Sequence, residues 1–189
     1  MFKKLLVLLL VSFSITGCSL VNVVEADHTQ HGGMLPSSAD FSMNDLMFAQ
    51  MMIPHHEQAI QMAEWAKSRA KDPEVKKIAE QILAAQGPEI DIMSGWLEQA
   101  KQAIQDHSGH MDMAGMLTAD ELIKLKSLSG EAFDKYFLES MIKHHEGAVV
   151  MAQDAMDTSN ETVRTLLEDI IQAQAEEIKT MQDLLVSAN

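Results

Sequence analysis

From residue 42 onward the apolar residues recur every three or four positions, and no stretch alternates strictly between apolar and polar. The same segments are rich in Ala, Leu, Met, Glu, Gln and Lys, which lose little conformational freedom in a helix. The spacing predicts long helices over 43–71, 73–106, 131–157 and 160–187, with a short one over 119–128. Their starts carry capping chemistry. Asp72-Pro73 offers an N-cap acceptor followed by Pro at the first helical position. Ser159 or Asn160 plays that part for the last helix, and Thr118-Ala-Asp-Glu121 has the spacing of a capping box. Four long helices and no strand signal predict an all-α fold, a four-helix bundle of two antiparallel hairpins.

The bundle is written twice. Asp45, Phe48, Met52, Ile53, His55, His56, Glu57, Ala59, Met62 and Ala63 return 89 positions later as Asp134, Phe137, Met141, Ile142, His144, His145, Glu146, Ala148, Met151 and Ala152. A second block follows at an offset of 88, where Gln86, Glu89, Ile90 and Met93 match Gln174, Glu177, Ile178 and Met181. Helix composition alone does not produce identities at this density, so the chain reads as a duplication, with repeats over about 43–105 and 131–187. Pro54 and Pro88 lie inside predicted helices, but Lys143 and Glu176 replace them in the other copy. The fold therefore does not depend on them.

Ahead of the bundle, Lys3-Lys4 precedes the apolar run Leu5 to Ile15 and then Thr16-Gly17-Cys18. A basic start and a short apolar core predict an export signal over 1–17, too short to span a membrane. Ile15 to Cys18 resembles a bacterial lipobox. That resemblance implies lipidation at Cys18 and attachment to the envelope membrane, on its periplasmic or extracytoplasmic face. Residues 18–41 read as a tether. Cys18 is the only cysteine, so an intramolecular disulfide and Cys-based zinc chemistry are excluded. Lys and Arg number 14 against 28 Asp and Glu, a net charge of -14 that argues against nucleic-acid partners.

The candidate chemistry is soft-metal binding. The chain holds 15 Met and 8 His. On a helical wheel with Met51 as origin, Met62, His55, Phe48, Met52 and His56 fall at about 20°, 40°, 60°, 100° and 140°. His55 is thus central to the buried stripe and His56 at its edge; Met141, His144, His145 and Met151 repeat the pattern. A Met stripe at helical spacing is ordinarily core. Two adjacent buried His, twice, each flanked by Met, require partners for their nitrogens. Glu89 and Glu177 are candidates to orient them, sharing helix faces with Gln86 and Met93 and with Gln174 and Met181. Between the halves, residues 107–117 place His107, His110, Met111, Met113 and Met116 among Gly, Ser and Asp, with no apolar period. That segment predicts exposed thioethers; the tether adds His28, His31 and Met34. Thioether and imidazole together favour Cu(I) and its mimic Ag(I), with Cu(II) tolerated through imidazole.

The duplicated D-x2-F-x3-M-I-x-H-H-E-x-A-x2-M-A motif, with its following Q-x2-E-I-x2-M, resembles the bacterial domain of unknown function 305 across residues 40–187. The resemblance implies a ferritin-like helical bundle. It also implies an exported copper-binding role in copper tolerance, with Met52, His55, His56, Met62, Met141, His144, His145 and Met151 at the family's motif positions. The expectation is a non-enzymatic protein that sequesters Cu(I) or hands it to a transfer partner. Two alternatives stand beside it, a ferritin-like metal-dependent redox enzyme and a structural envelope module without metal. Di-iron bundles use E-x-x-H on core helices, and this chain has that spacing only at Glu25–His28, in the tether.

Overall fold

The computed structural model describes residues 41–103 and 113–187, and among them every regular element is helical. The helices are α1 (Met43–Arg69), α2 (Pro73–Gln99), α3 (Ala119–Ser127), α4 (Glu131–Asp154) and α5 (Glu161–Ser187). The predicted leader and the tether to residue 40, with Cys18, His28, His31 and Met34, lie outside the described residues, as do His107, His110 and Met111.

Local hydrogen bonds set the helix starts. Ser42 and Asp45 form a capping box at α1, and Thr118 and Glu121 form the predicted one at α3. Asp72 accepts from the Glu74 N–H at 2.8 Å ahead of Pro73. At α5 the cap is Asn160, whose Oδ1 accepts from the Thr162 and Val163 N–H groups.

The helix ends are shorter than the sequence pattern predicts, and local closures and tertiary bonds account for them. The predicted 73–106 helix stops at Gln99 because Lys101 turns to φ 55°. Its N–H bonds to the Glu98 carbonyl and that of Gln102 to Leu97, a Schellman closure built without glycine. The Gln50 side chain then holds the Ala103 carbonyl at 2.6 Å. α1 stops at Arg69, not 71, because the Lys71 and Asp72 N–H groups turn to the carboxylate of Asp134 on α4, at 2.9–3.2 Å. α4 stops at Asp154, not 157, where the buried Thr158 pins the turn by accepting from the Asn160 N–H.

The four long helices pair as predicted. α1 packs on α2 and α4 on α5, and the hairpins join through α1 against α4 and α2 against α5. The first residues of α4 lie at the end of α1, where the Gly130 N–H meets the Arg69 carbonyl at 2.8 Å. The two His-bearing helices therefore run antiparallel and cross near their middles, as a twofold relation between the copies requires. Two apolar clusters fill the ends. One gathers Ala63, Ile78, Ile82, Phe133, Phe137 and Leu125. The other gathers Phe48, Ile53, Trp96, Leu97, Leu167 and Ile170.

The Asp134 carboxylate joins one hairpin's turn to the other hairpin's first helix. Asp134→Ala strands two N–H groups and is expected to lower the unfolding free energy by about 2 kcal/mol. Urea unfolding at pH 7 measures it, and an unchanged midpoint would mean that water replaces the carboxylate without cost.

Candidate metal centre

All four motif imidazoles, His55, His56, His144 and His145, are completely buried. Burial of His56 departs from the helical-wheel expectation of an edge position, because α2 covers that face. The two members of each pair have different duties. The second ties a hairpin together: His56 Nε2 meets Glu89 of α2 at 2.7 Å, and His145 Nε2 meets Glu177 of α5 at 2.7 Å. The first stands where the hairpins meet, with the rings of His55 and His144 tilted by 40° at a centroid separation of 3.8 Å. The carboxylates thus have the orienting position expected of them.

A carboxylate at Nε2 draws the ring hydrogen to that nitrogen, which leaves Nδ1 with its lone pair. His55 is held similarly, with Nε2 at 3.0 Å from the Ala114 carbonyl, an acceptor only. The Nδ1 atoms of His55, His56 and His145 have no hydrogen-bond partner, nor does either nitrogen of His144. The side-chain amides of Gln86 and Gln174 are also buried and unpartnered at both atoms. Among the described residues, every partnerless buried side-chain nitrogen or oxygen belongs to these histidines or to Gln86 and Gln174, one turn from Glu89 and Glu177, except Asp45 Oδ1. Each such atom costs about 1–3 kcal/mol, so their concentration in these residues calls for an occupant or a function.

Desolvation sets the charge of the central pair. Burial pushes the pKa of His55 down to about 3, against a smaller opposing effect of the Ala114 carbonyl, and the neighbouring His56 and His145 push the same way. Burial and the neighbouring histidines hold His144 well below the ordinary imidazole range. Both rings are neutral at pH 7, the form that binds metals.

Residues 113–117 cross this layer as a strap, which the sequence pattern missed. Gly115, at φ 83°, packs where a Cβ would lie 2.5 Å from the Lys143 carbonyl, and a Cβ at Gly147 would overlap the Ala114 carbonyl. Copy 1 has Gln58 at the position of Gly147, and its amide clamps Leu117, accepting from the N–H at 2.7 Å and donating to the carbonyl at 3.0 Å. The Gln58/Gly147 difference is visible in the repeat and was the available signal. The strap corrects the expectation of exposed loop thioethers. Met113 is only 5% exposed and Met116 is half-buried, because the strap lies down on the bundle and does not project from it.

The remaining predicted thioethers are core residues arranged by the same twofold relation. Met62, Met141 and Met181 belong to one apolar cluster. Met52 and Met93 belong to the other, with the half-buried Met151 packed on it. The His layer lies between them. Among the described residues no three His, Asp or Glu side chains converge as a ready-made cation cage.

A duplicated helical bundle with a buried histidine layer at its crossing defines the class of protein. Residues 45–185 match the family described as Domain of unknown function (DUF305), and the chain belongs to it. A DUF305 protein of Streptomyces coelicolor described as secreted is 31% identical, with a TM-score of 0.71, over 77% of this chain and 93% of its own. CopM in its Cu(I)-bound form is 36% identical, with a TM-score of 0.66, over 76% of this chain and 96% of its own. CopM has also been solved bound to Cu(II) and to Ag. An uncharacterized protein of Acanthamoeba polyphaga mimivirus is 39% identical over 59 residues, 39% of its length. No described helix is long and apolar enough to cross a membrane.

The His55 shift has a defined sign in stability. Between pH 6.5 and about 3 the unfolded chain binds a proton at this residue that the folded chain refuses, so stability falls as pH is lowered through that window. Urea unfolding at pH 7 and pH 4 should show wild type losing roughly 3 kcal/mol more than His55→Gln, which keeps a donor for Ala114. Parallel losses would mean that the ring is protonated in the folded protein.

Proposed function

We propose that this chain is a copper-binding protein of the cell envelope, which takes Cu(I) by preference and accepts Cu(II) and Ag(I). One observation carries the reading. A layer of four buried imidazoles with partnerless nitrogens sits between two symmetry-related sets of methionines, in a chain 36% identical to CopM, which has been solved with these ions. Imidazole nitrogen and thioether sulfur are the donors that a soft ion selects.

The mechanism is ligand exchange. The ion takes up lone pairs that are bare in the apo layer, and neither His55 nor His144 has to lose a proton at neutral pH. Glu89 and Glu177 hold their rings in the ligating tautomer as the bundle adjusts. A centre sealed by the strap suits retention or measured release better than turnover, so the role is sequestration or hand-over to a transfer partner and is non-enzymatic. An export signal and lipidation at Cys18 would place that role outside the cytoplasm, where thioethers survive oxidation better than thiols.

Competition titration of Cu(I) against a chromogenic chelator tests the reading. Met52→Leu/Met141→Leu removes sulfur while keeping apolar bulk, and His55→Gln/His144→Gln removes imidazole. Each is expected to weaken binding by about tenfold or more, and wild-type binding should survive at pH 5 because thioethers carry no competing proton. Wild-type affinity in both variants, or complete loss at pH 5, would overturn the assignment.

A further inference from the structure

Three methionines of α1 take no part in either apolar cluster. Met43 is 70% exposed, Met47 is 52% exposed and Met51 is half-buried. With His55 they occupy every fourth position of one uninterrupted helix. Residues so spaced are surface neighbours, with Cβ atoms roughly 5–6 Å apart. The row drifts by about 40° at each step, which carries it around the helix from the solvent side to the buried face. Exposure falls in the same order and reaches zero at His55.

Packing accounts for Met52 and Met62 but not for Met43 and Met47, whose side chains lie largely in water. The repeat supplies an internal control. At the corresponding positions before His144 the second copy has Ala132, Tyr136 and Ser140. α4 forms and packs with those residues, so neither helix formation nor bundle assembly asks for sulfur there. The thioethers are confined to the copy whose leading histidine they approach.

We propose that Met43, Met47 and Met51 form a thioether ladder that captures a soft monovalent cation at the surface and passes it along α1 to His55. This rests on the copper-binding reading above and adds the route by which the ion reaches the layer. Neighbouring rungs are close enough to share one ion, whereas Met43 and Met51, about 12 Å apart along the axis, are too far apart to hold it without Met47. Transfer therefore proceeds by single exchanges. An ion held by Met43 and Met47 gains Met51 as it leaves Met43, then gains His55 Nδ1 as it leaves Met47. Every step swaps one neutral donor for another, so no proton or electron moves and the ion keeps its charge.

The test uses the full chain with methyl-labelled methionine and Ag(I) as probe. In wild type the methyl signals of Met43 and Met47 should shift at the lowest Ag(I) additions, ahead of those of Met52 and Met141. In Met43→Leu/Met47→Leu/Met51→Leu, checked for an unchanged melting curve, the inner layer should fill to the same final extent at a rate about tenfold lower or less. Inner methionines that respond first in wild type, or a variant that loads at the wild-type rate, would overturn the ladder and leave the copper-binding reading standing. A wild-type inner layer that never responds to Ag(I) or Cu(I) would overturn both.

Discussion

Four imidazoles are withdrawn from water where α1 crosses α4, and the surrounding structure is organised by what that withdrawal costs. A buried charge at the centre would be expensive, and two charged rings at a centroid separation of 3.8 Å would repel each other. Neutral rings avoid that repulsion but still need partners. The bundle supplies one to each of three rings, from Glu89, Glu177 and the Ala114 carbonyl, whereas His144 has the His55 backbone nearby but no hydrogen bond of ordinary geometry. The polar layer thus remains incomplete between two apolar clusters, which supports the reading of it as a site.

Duplication gives the layer its near-symmetry, and the departures from symmetry give it direction. Glu89 and Glu177 act as equivalents, as do the methionines on either side. The strap has no counterpart: it clamps to Gln58 on one copy and lies against Gly147 on the other, so it bonds His55 and leaves His144 bare. Surface thioethers also stand ahead of His55 alone. Two halves that began alike present the same central pair with unlike approaches, one lined with sulfur and the other with Ala132, Tyr136 and Ser140.

Much of this was legible in the sequence because it depends on short-range rules. Helix periodicity, the Thr118 and Asp72 caps and the repeated HHE motif follow from local spacing, and the repeat pointed to the His–Glu pairing across each hairpin. Most features that escaped rest on contacts distant in sequence. Asp134 draws the end of α1 away from helical geometry across sixty-odd positions, while Lys101 ends α2 by a local turn that carries no glycine signal. Met113 looked like a loop thioether because its neighbours are Gly, Ser and Asp, yet the strap folds onto the bundle and buries it. His56 seemed peripheral on an isolated helix and is covered by α2.

Nitrogen-15 NMR of the histidine rings, recorded at pH 6 before and after addition of Ag(I), reads out whether the crossing holds neutral imidazoles whose bare nitrogens receive a soft ion. His55 and His144 should be uncharged in the apo protein, His55 should carry its hydrogen on Nε2, and its Nδ1 should shift strongly when the metal is added. Charged rings at pH 6, or ring nitrogens indifferent to Ag(I) while the protein binds it, would rule out a neutral-imidazole site.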